Sequence, residues 1–369
     1  MRTMHELLDT LADVLGQGVT FAAFKEPGKP VRLMVQRELH LRSIAEAGDD
    51  DRGFLIAPFD GTVTTACWLR PDLDRTVGDA PAWDPSLLNG SERIEERKVH
   101  AQAPTSRAQH RAIVEQALDR IAKGELEKVV LSRVKRIGFD PGEAAGLFVE
   151  LLATCPAAFV CLLHTADHGL WIGAAPERLV AVEDSSYTVD AVAGTMPSDI
   201  APPNVKDWGG KEKEEQAWVE RDIRSKLTEL GLPPTAVTGP EVHAAGPVSH
   251  LRTRFTGPLD HVPVVRMAAK LHPTPAVGGT PTGPAQDFIR NSEMHERRLY
   301  AGYWGPWSEN GRSSLYVNLR CMEIGRQEAL LYLGGGITAG SDADREWEET
   351  EAKALTLERP MAAVLARIP

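Results

Sequence analysis

Cysteine is scarce in this chain: four residues among 369, at Cys67, Cys155, Cys161 and Cys321, with no Cys-x-x-Cys pair. That scatter excludes a disulfide framework and a cysteine-based zinc site, and it predicts reduced thiols in the cytoplasm. No run of about 20 apolar residues occurs, so no membrane-spanning helix is expected. The N-terminal stretch MRTMHELLDTLADVLGQG has helical spacing and no continuous apolar core, so no secretory leader is expected either. Positive charge is in deficit, with 41 Lys and Arg against 52 Asp and Glu and a formal net charge of -11. This argues against nucleic acid and against an anionic membrane surface as partners. It leaves room for a small anionic substrate, because a local cationic cluster or a metal overrides the global field. Internal repeats, low-complexity tracts and the phosphate-binding patterns GxxxxGK[ST] and GxGxxG are all missing, so nothing marks a nucleotide site.

What is present is enough apolar residue, 42%, for a substantial core in a chain long enough for one large domain or two ordinary ones. Short strand-like runs (VRLMVQ, GFLIAPF, VTTACWL) fill the N-terminal portion, residues 1–105, which carries no chemical motif. Pro71 to Pro104 is rich in Pro, Asp and Gly and reads as surface loop. From Ser106 an amphipathic helix is expected, with Ile113, Ala117 and Ile121 on its apolar face, ending near Gly124. Strands are expected at KVVLSRVKRI, AAFVCLLHT, LWIGAAPERLVAVE, SSLYVNLRCMEI and EALLYLGGGI, and a further helix from about Glu212 to Leu230. Strands in runs with interspersed helices predict an α+β fold on antiparallel sheet, not repeated βαβ units. The whole chain, 1–369, is read as one intertwined unit with its catalytic region at 106–360.

The most informative stretch runs from Gly334 to Leu357, GGGITAGSDADREWEETEAKALTL. Its glycines let backbone approach a ligand closely. Ser341 is a candidate helix cap. Glu346, Glu349 and Lys353 then share one helical face. Paired carboxylates suit a hard divalent cation, and the lysine suits an anion. Glu212 and Glu215 repeat the paired spacing on another helix. The competing structural reading is a solvated Glu-rich face with ion pairs such as Glu349 to Lys353.

Lys128 leads into an apolar strand. Desolvation there lowers a lysine pKa toward neutrality, where it acts as a base. A fall of about three units corresponds to about 4 kcal/mol, which only a dedicated site sustains. Glu177 follows a small-residue turn, where apolar surroundings keep a carboxyl protonated as a general acid. An edge lysine and an ordinary turn glutamate are the bland alternatives. Arg320 on a strand suits a bidentate carboxylate contact. Gly194, Thr195, His250 and Tyr300 complete the candidates.

In order along the chain, KVVLSR, APERL, AGT, KEKEE, HLRT, LHPTPAVGG, RRLYAG, LRC and GGGIT-EWEETEAK resemble the chorismate-utilising enzymes, the family of anthranilate, aminodeoxychorismate, salicylate and isochorismate synthases. Lys128, usually missing from the amine-adding members, and the stretch LHPTPAVGG with Ala276 make the resemblance closest to the isochorismate synthases. The resemblance implies an anthranilate-synthase-like α+β fold, two sheets flanked by helices with the site in the cleft between them. It implies Lys128 as the base that activates water for attack at C2 of chorismate, and Glu177 as the acid for the departing C4 hydroxyl. Mg²⁺ would be ligated by Glu215 and Glu346, with Glu212 and Glu349 orienting its waters. Arg320, Tyr300, Gly334 and Gly335 would hold the enolpyruvyl carboxylate, Lys353 the ring carboxylate, and Gly194, Thr195, His250 and Ala276 the ring. Gln216, Met196-Pro197-Ser198 and Ala175 depart from the family's usual residues without removing a named role. Salicylate synthase and a non-catalytic anion-binding relative are the alternative readings. A cytoplasmic monomer is expected, serving siderophore or menaquinone synthesis.

Overall fold

The run from Leu170 to Glu183, which reads as one strand, is two. Gly169–Ala175 lies in one sheet and Arg178–Glu183 in another, with Pro176 and Glu177 between them. The run from Ser313 to Ile324 divides the same way, into Ser313–Val317 and Cys321–Ile324, with Arg320 at the break. Pro176 has no N–H to offer a ladder. Arg320 has φ of 51°, a left-handed conformation that ends a strand. The two crossovers are stitched together: Val317 N–H donates to Glu177 O at 3.0 Å, and Ala174 N–H to Arg320 O at 3.1 Å.

This computed structural model describes all residues except 1, 49, 80–81, 96–101, 246–247, 309 and 368–369. Among the described residues the helices are α1 Arg2–Gln17, α2 Arg107–Ala122, α3 Ala144–Thr154, α4 Gly210–Glu229, α5 Val264–Leu271, α6 Thr282–Ser292 and α7 Ala343–Leu365. The strands are β1 Thr20–Lys25, β2 Arg32–Gln36, β3 Arg42–Ser43, β4 Arg52–Ala57, β5 Cys67–Leu69, β6 Leu73–Thr76, β7 Lys128–Gly138, β8 Phe159–Thr165 and β9 Gly169–Ala175. They continue as β10 Arg178–Glu183, β11 Ser186–Pro197, β12 Ala236–Ala245, β13 Val248–Pro258, β14 Gly279–Thr280, β15 Tyr303–Ser308, β16 Ser313–Val317, β17 Cys321–Ile324 and β18 Glu328–Ile337. The first sheet has the order β14-β7-β18-β17-β9-β8-β1-β2-β6, and the second β12-β13-β11-β10-β16-β15-β4-β5-β3. Both sheets draw strands from before and after residue 106, so the N-terminal portion is woven into each.

The sheets face each other across an aromatic core that includes Phe24, Phe54, Phe159, Trp304 and Tyr316. Phe159 of the first sheet and Tyr316 of the second stack with ring centroids 4.2 Å apart. The other face of the first sheet is covered by α1, α3 and α7 through Leu11, Phe148 and Leu357. The second sheet carries α4 and α5 through Val219, Ile223 and Met267.

Two further local expectations need correction. The cap of α7 is Asp342, whose side chain accepts from Arg345 N–H at 3.0 Å, not Ser341. Ser341 Oγ instead accepts from Thr338 N–H at 3.1 Å, bracing the turn before the helix. The expected loop from Pro71 to Pro104 contains the edge strand β6, which pairs with β2, and a short 3-10 turn at Pro85–Leu88. Residues 80–81 and 96–101 of that segment lie outside the described residues. No described helix is long and apolar enough to cross a membrane.

Candidate active site

Lys128 opens β7, and its side chain is buried, 7% exposed. β14 pairs with β7 on one side, Thr280 opposite Lys128, and β18 on the other, Gly336 opposite Val130. A Cβ on Gly336 would lie 3.0 Å from Lys128 Cε, so glycine leaves the lysine its path across β18. Burial lowers the Lys128 pKa. The Glu215 and Glu177 carboxylates pull it back up, while Lys353 and Lys211 push it down. Glu177, at the sheet crossover, is pushed up to about 7 by burial, with the Lys128 ammonium opposing the rise. The lysine is thus easier to deprotonate and the carboxyl harder to deprotonate than in water, and each feels the other's charge. A base and an acid poised toward the same pH is an arrangement suited to moving two protons in one reaction.

The three consecutive glycines of β18 each clear space for a different side chain. A Cβ on Gly334 would meet Tyr300 Oη, one on Gly335 would stand 3.1 Å from Glu346 Oε2, and Gly336 admits Lys128. Strand alternation puts Gly334 and Gly336 on one face and Gly335 on the other. The family resemblance implies substrate contacts for Gly334 and Gly335 only; the space Gly336 leaves for Lys128 is visible in the structure alone. Gly334 O already accepts from Lys353 Nζ at 2.8 Å. Lys353 Nζ also pairs with Glu349, the ion pair that the bland reading of this helix named. Tyr300 is 4% exposed and stacks on Tyr332, its hydroxyl pKa raised by burial. Arg320 Nη1 donates to Lys353 O at 3.3 Å, and burial lowers its guanidinium pKa.

The carboxylates differ among themselves. Glu346 is 8% exposed, and its Oε2 is buried with no hydrogen-bond partner. Burial raises its pKa, the Ser341 hydroxyl opposes the rise, and Glu349 adds to it. For Glu349 burial also acts upward, but Lys353 and Arg320 outweigh it and the pKa falls below the usual value. Glu215 is half-buried on α4, its charge acting on Lys128. Glu212 Oε2 lies where a Cβ on Gly209 would stand, so the carboxylate folds back over the first turn of α4. Among the described residues no three His, Cys, Asp or Glu side chains converge as a ready metal cluster. The donor chemistry nonetheless fits a hard cation. Glu346 presents an orphaned buried carboxylate oxygen, and Mg²⁺ is usually held by one or two carboxylates completed by water and substrate oxygens.

Gly194, expected at the ring, has φ of 65° and abuts α4, where a Cβ would stand 2.7 Å from Glu212 O. Its smallness lets β11 and the first turn of α4 touch. Thr195 and His250 are register partners on β11 and β13, with Thr195 Oγ1 3.0 Å from His250 Nδ1. Burial brings the His250 pKa down to about 4, so its ring is neutral at physiological pH. Ala276 is half-buried in the loop between α5 and β14. Lys211 was missed by sequence reasoning, although it lies inside the KEKEE stretch. Its charge reaches Lys128, Glu346 and Glu349, which places the first turns of α4 and α7 near each other around Lys128.

These crossovers, glycines and paired helices define a class. The chorismate binding enzyme family profile matches residues 71–365, and the chain belongs to that family. Among its relatives, isochorismate synthase MenF of Escherichia coli (strain K12) is 32% identical over 252 residues, covering 66% of this chain and 58% of the relative. Isochorismate synthase DhbC of Bacillus subtilis (strain 168) is 31% identical over 265 residues, covering 67% of this chain and 66% of the relative. The aligned stretches thus span less than two thirds of either relative. The solved structure of MenF, the menaquinone-specific isochorismate synthase from Escherichia coli, superposes with a TM-score of 0.78 at 22% identity, over 95% of this chain and 91% of that one. The fold is that of this structure.

Proposed function

We propose that this protein is an Mg²⁺-dependent isochorismate synthase acting in the cytoplasm. The observation that carries the reading is the pairing of buried Lys128, at the start of β7, with Glu177 at the sheet crossover, each within reach of the other's charge, the lysine lowered by burial and the carboxyl raised to about 7. The isochorismate synthases among its relatives supply the substrate and the reaction.

Neutral Lys128 takes a proton from water as the oxygen bonds to C2 of chorismate. The ring double bond shifts, the C4–O bond breaks, and Glu177 gives its proton to the departing hydroxyl, which leaves as water. One water enters and one leaves, so the net change is an isomerisation. Lys128 ends as ammonium and Glu177 as carboxylate, the states the reverse reaction needs. Mg²⁺ bound by Glu215 and Glu346 would neutralise and hold the ring carboxylate. Glu349 and Glu212 are proposed to orient its waters, Glu212 after swinging from the position beside Gly209. Arg320 and Tyr300 are proposed to hold the enolpyruvyl carboxylate against the glycine strand, and Lys353 the ring carboxylate. Thr195, His250, Gly194 and Ala276 would border the ring.

Purified protein, chorismate and Mg²⁺ are expected to give isochorismate without ammonia, read by chromatography or NMR of the products. Salicylate with pyruvate would make the protein a salicylate synthase. An aminated product appearing only with ammonia would make it an amine-adding synthase. Binding without turnover would make it a non-catalytic relative.

A further inference from the structure

We propose that Lys226 is a positioning residue for the ring site: it pins the loop that carries Ala276 to the same helix that carries Glu215. Lys226 Nζ donates to Leu271 O at 3.1 Å and to Pro273 O at 2.9 Å, and it pairs with Asp222 at 2.8 Å. Two ammonium donors thus meet backbone carbonyls, and the Asp222 carboxylate supplies the countercharge. The lysine side chain is 11% exposed and that of Asp222 18%, so water competes weakly for either.

Leu271 is the last residue of α5, and its carbonyl has no partner within the helix. A cation there satisfies it and complements the helix dipole. The two bonded carbonyls flank His272, whose Nε2 lies 3.0 Å from Phe59 O, so the start of the loop is held from two directions. Its far end is held separately. Val277 O accepts from Arg297 Nη1 at 3.0 Å, Gly278 O from Val130 N–H at 2.8 Å, and Thr280 then pairs with Lys128. Between these anchors Thr274 O accepts from the N–H groups of Val277 and Gly278. Ala276 is therefore presented by a short loop fixed at both ends. One anchor comes from the strand of Lys128 and the other from the helix of Glu215.

Lys226 lies 11 residues beyond Glu215, about three helical turns, so both project from the same side of α4. A rigid helix then ties the position of the carboxylates to the position of the ring loop. This role rests on the proposed isochorismate synthase reading for its substrate, but the pin itself does not.

The test compares wild type with Lys226→Met, Lys226→Arg and Asp222→Asn by amide hydrogen exchange, chorismate kinetics and thermal melting. In Lys226→Met, exchange of the 274–280 amides is expected to speed at least about tenfold, and KM for chorismate to rise about tenfold. The kcat and the half-saturating Mg²⁺ concentration should stay within about threefold, and Lys226→Arg should recover part of the loss. Asp222→Asn, which keeps both carbonyl bonds, should give a smaller effect and serves if the methionine variant does not fold. Unchanged exchange across 274–280, or losses that track melting alone with KM constant, would overturn the pin. A wild type that converts no chorismate would defeat the functional reading, while the exchange data would still decide the role of Lys226.

Discussion

Lys128 and Glu177 acquire their chemistry from burial, and each therefore has a measurable signature. Lys128→Met keeps the stem and removes the base. Turnover is expected to fall about 10²–10⁴-fold with an unchanged circular dichroism spectrum. A variant within a few-fold of wild type would remove the base assignment. Glu177 keeps its proton up to about pH 7 in the folded chain, whereas its ordinary value is 4.5. Between those values the native state holds more protons than the unfolded one, so the contribution of this group to stability falls as pH rises. Glu177→Gln removes that loss. It is expected to raise the melting temperature at pH 8 but not at pH 4, the gain in stability being no more than about 3 kcal/mol. Equal shifts at both pH values would contradict the raised pKa. Both residues stand out in the sequence because apolar surroundings would lower a lysine pKa and raise a carboxyl pKa. Their meeting was implied by the family resemblance but not by spacing, since 49 positions separate them and only the fold closes that distance.

At the scale of elements, α7 shows how a helix is held in register by the face that does no chemistry. Glu346, Glu349 and Lys353 lie on one side. On the other, buried Arg133 of β7 donates to Thr350 Oγ1 at 2.6 Å, bonds Glu351, and lies 3.9 Å from the Trp347 ring. Removing Arg133 leaves the Thr350 hydroxyl without that donor and the Trp347 ring without its cation, while Glu351, a third exposed, keeps Lys135, so the loss is on the order of 1–3 kcal/mol. Arg133→Met is therefore expected to destabilise the protein measurably and, because α7 loosens, to raise the half-saturating Mg²⁺ concentration about tenfold in metal-dependent assays. An unchanged metal requirement would show that α7 is fixed by other contacts. The helices were largely legible: the expected helix from Glu212 to Leu230 is Gly210–Glu229, and the one expected from Ser106 to near Gly124 is Arg107–Ala122. The strands bearing Glu177 and Arg320 were misread as continuous, because a local apolar pattern does not reveal which sheet each half joins.

At the scale of the molecule, the site exists only while the two sheets stay pressed together. Phe159 and Tyr316 stack across that interface, with Phe24 and Phe54 beside Phe159. Phe159→Ala leaves a cavity between the sheets and is expected to cost about 3–5 kcal/mol in denaturant unfolding. Activity should fall as well, since Glu177 and Arg320 sit where the chain steps from one sheet to the other. A variant with lowered stability and full activity at low temperature would separate core packing from site geometry.

By itself the sequence determined the chemical inventory: which side chains can exchange protons, which carboxylates suit a hard cation, where glycine permits close approach, and the family those residues resemble. These follow from residue type and short-range spacing. The tertiary structure alone decided that Gly334, Gly335 and Gly336 serve three different side chains, that Glu212 rests against its own helix, and that Lys211 joins the charged group. It also decided that Lys226 reaches the loop of Ala276. Each of these depends on contacts between segments far apart in the chain, and such contacts are set by sheet pairing and burial rather than by local pattern.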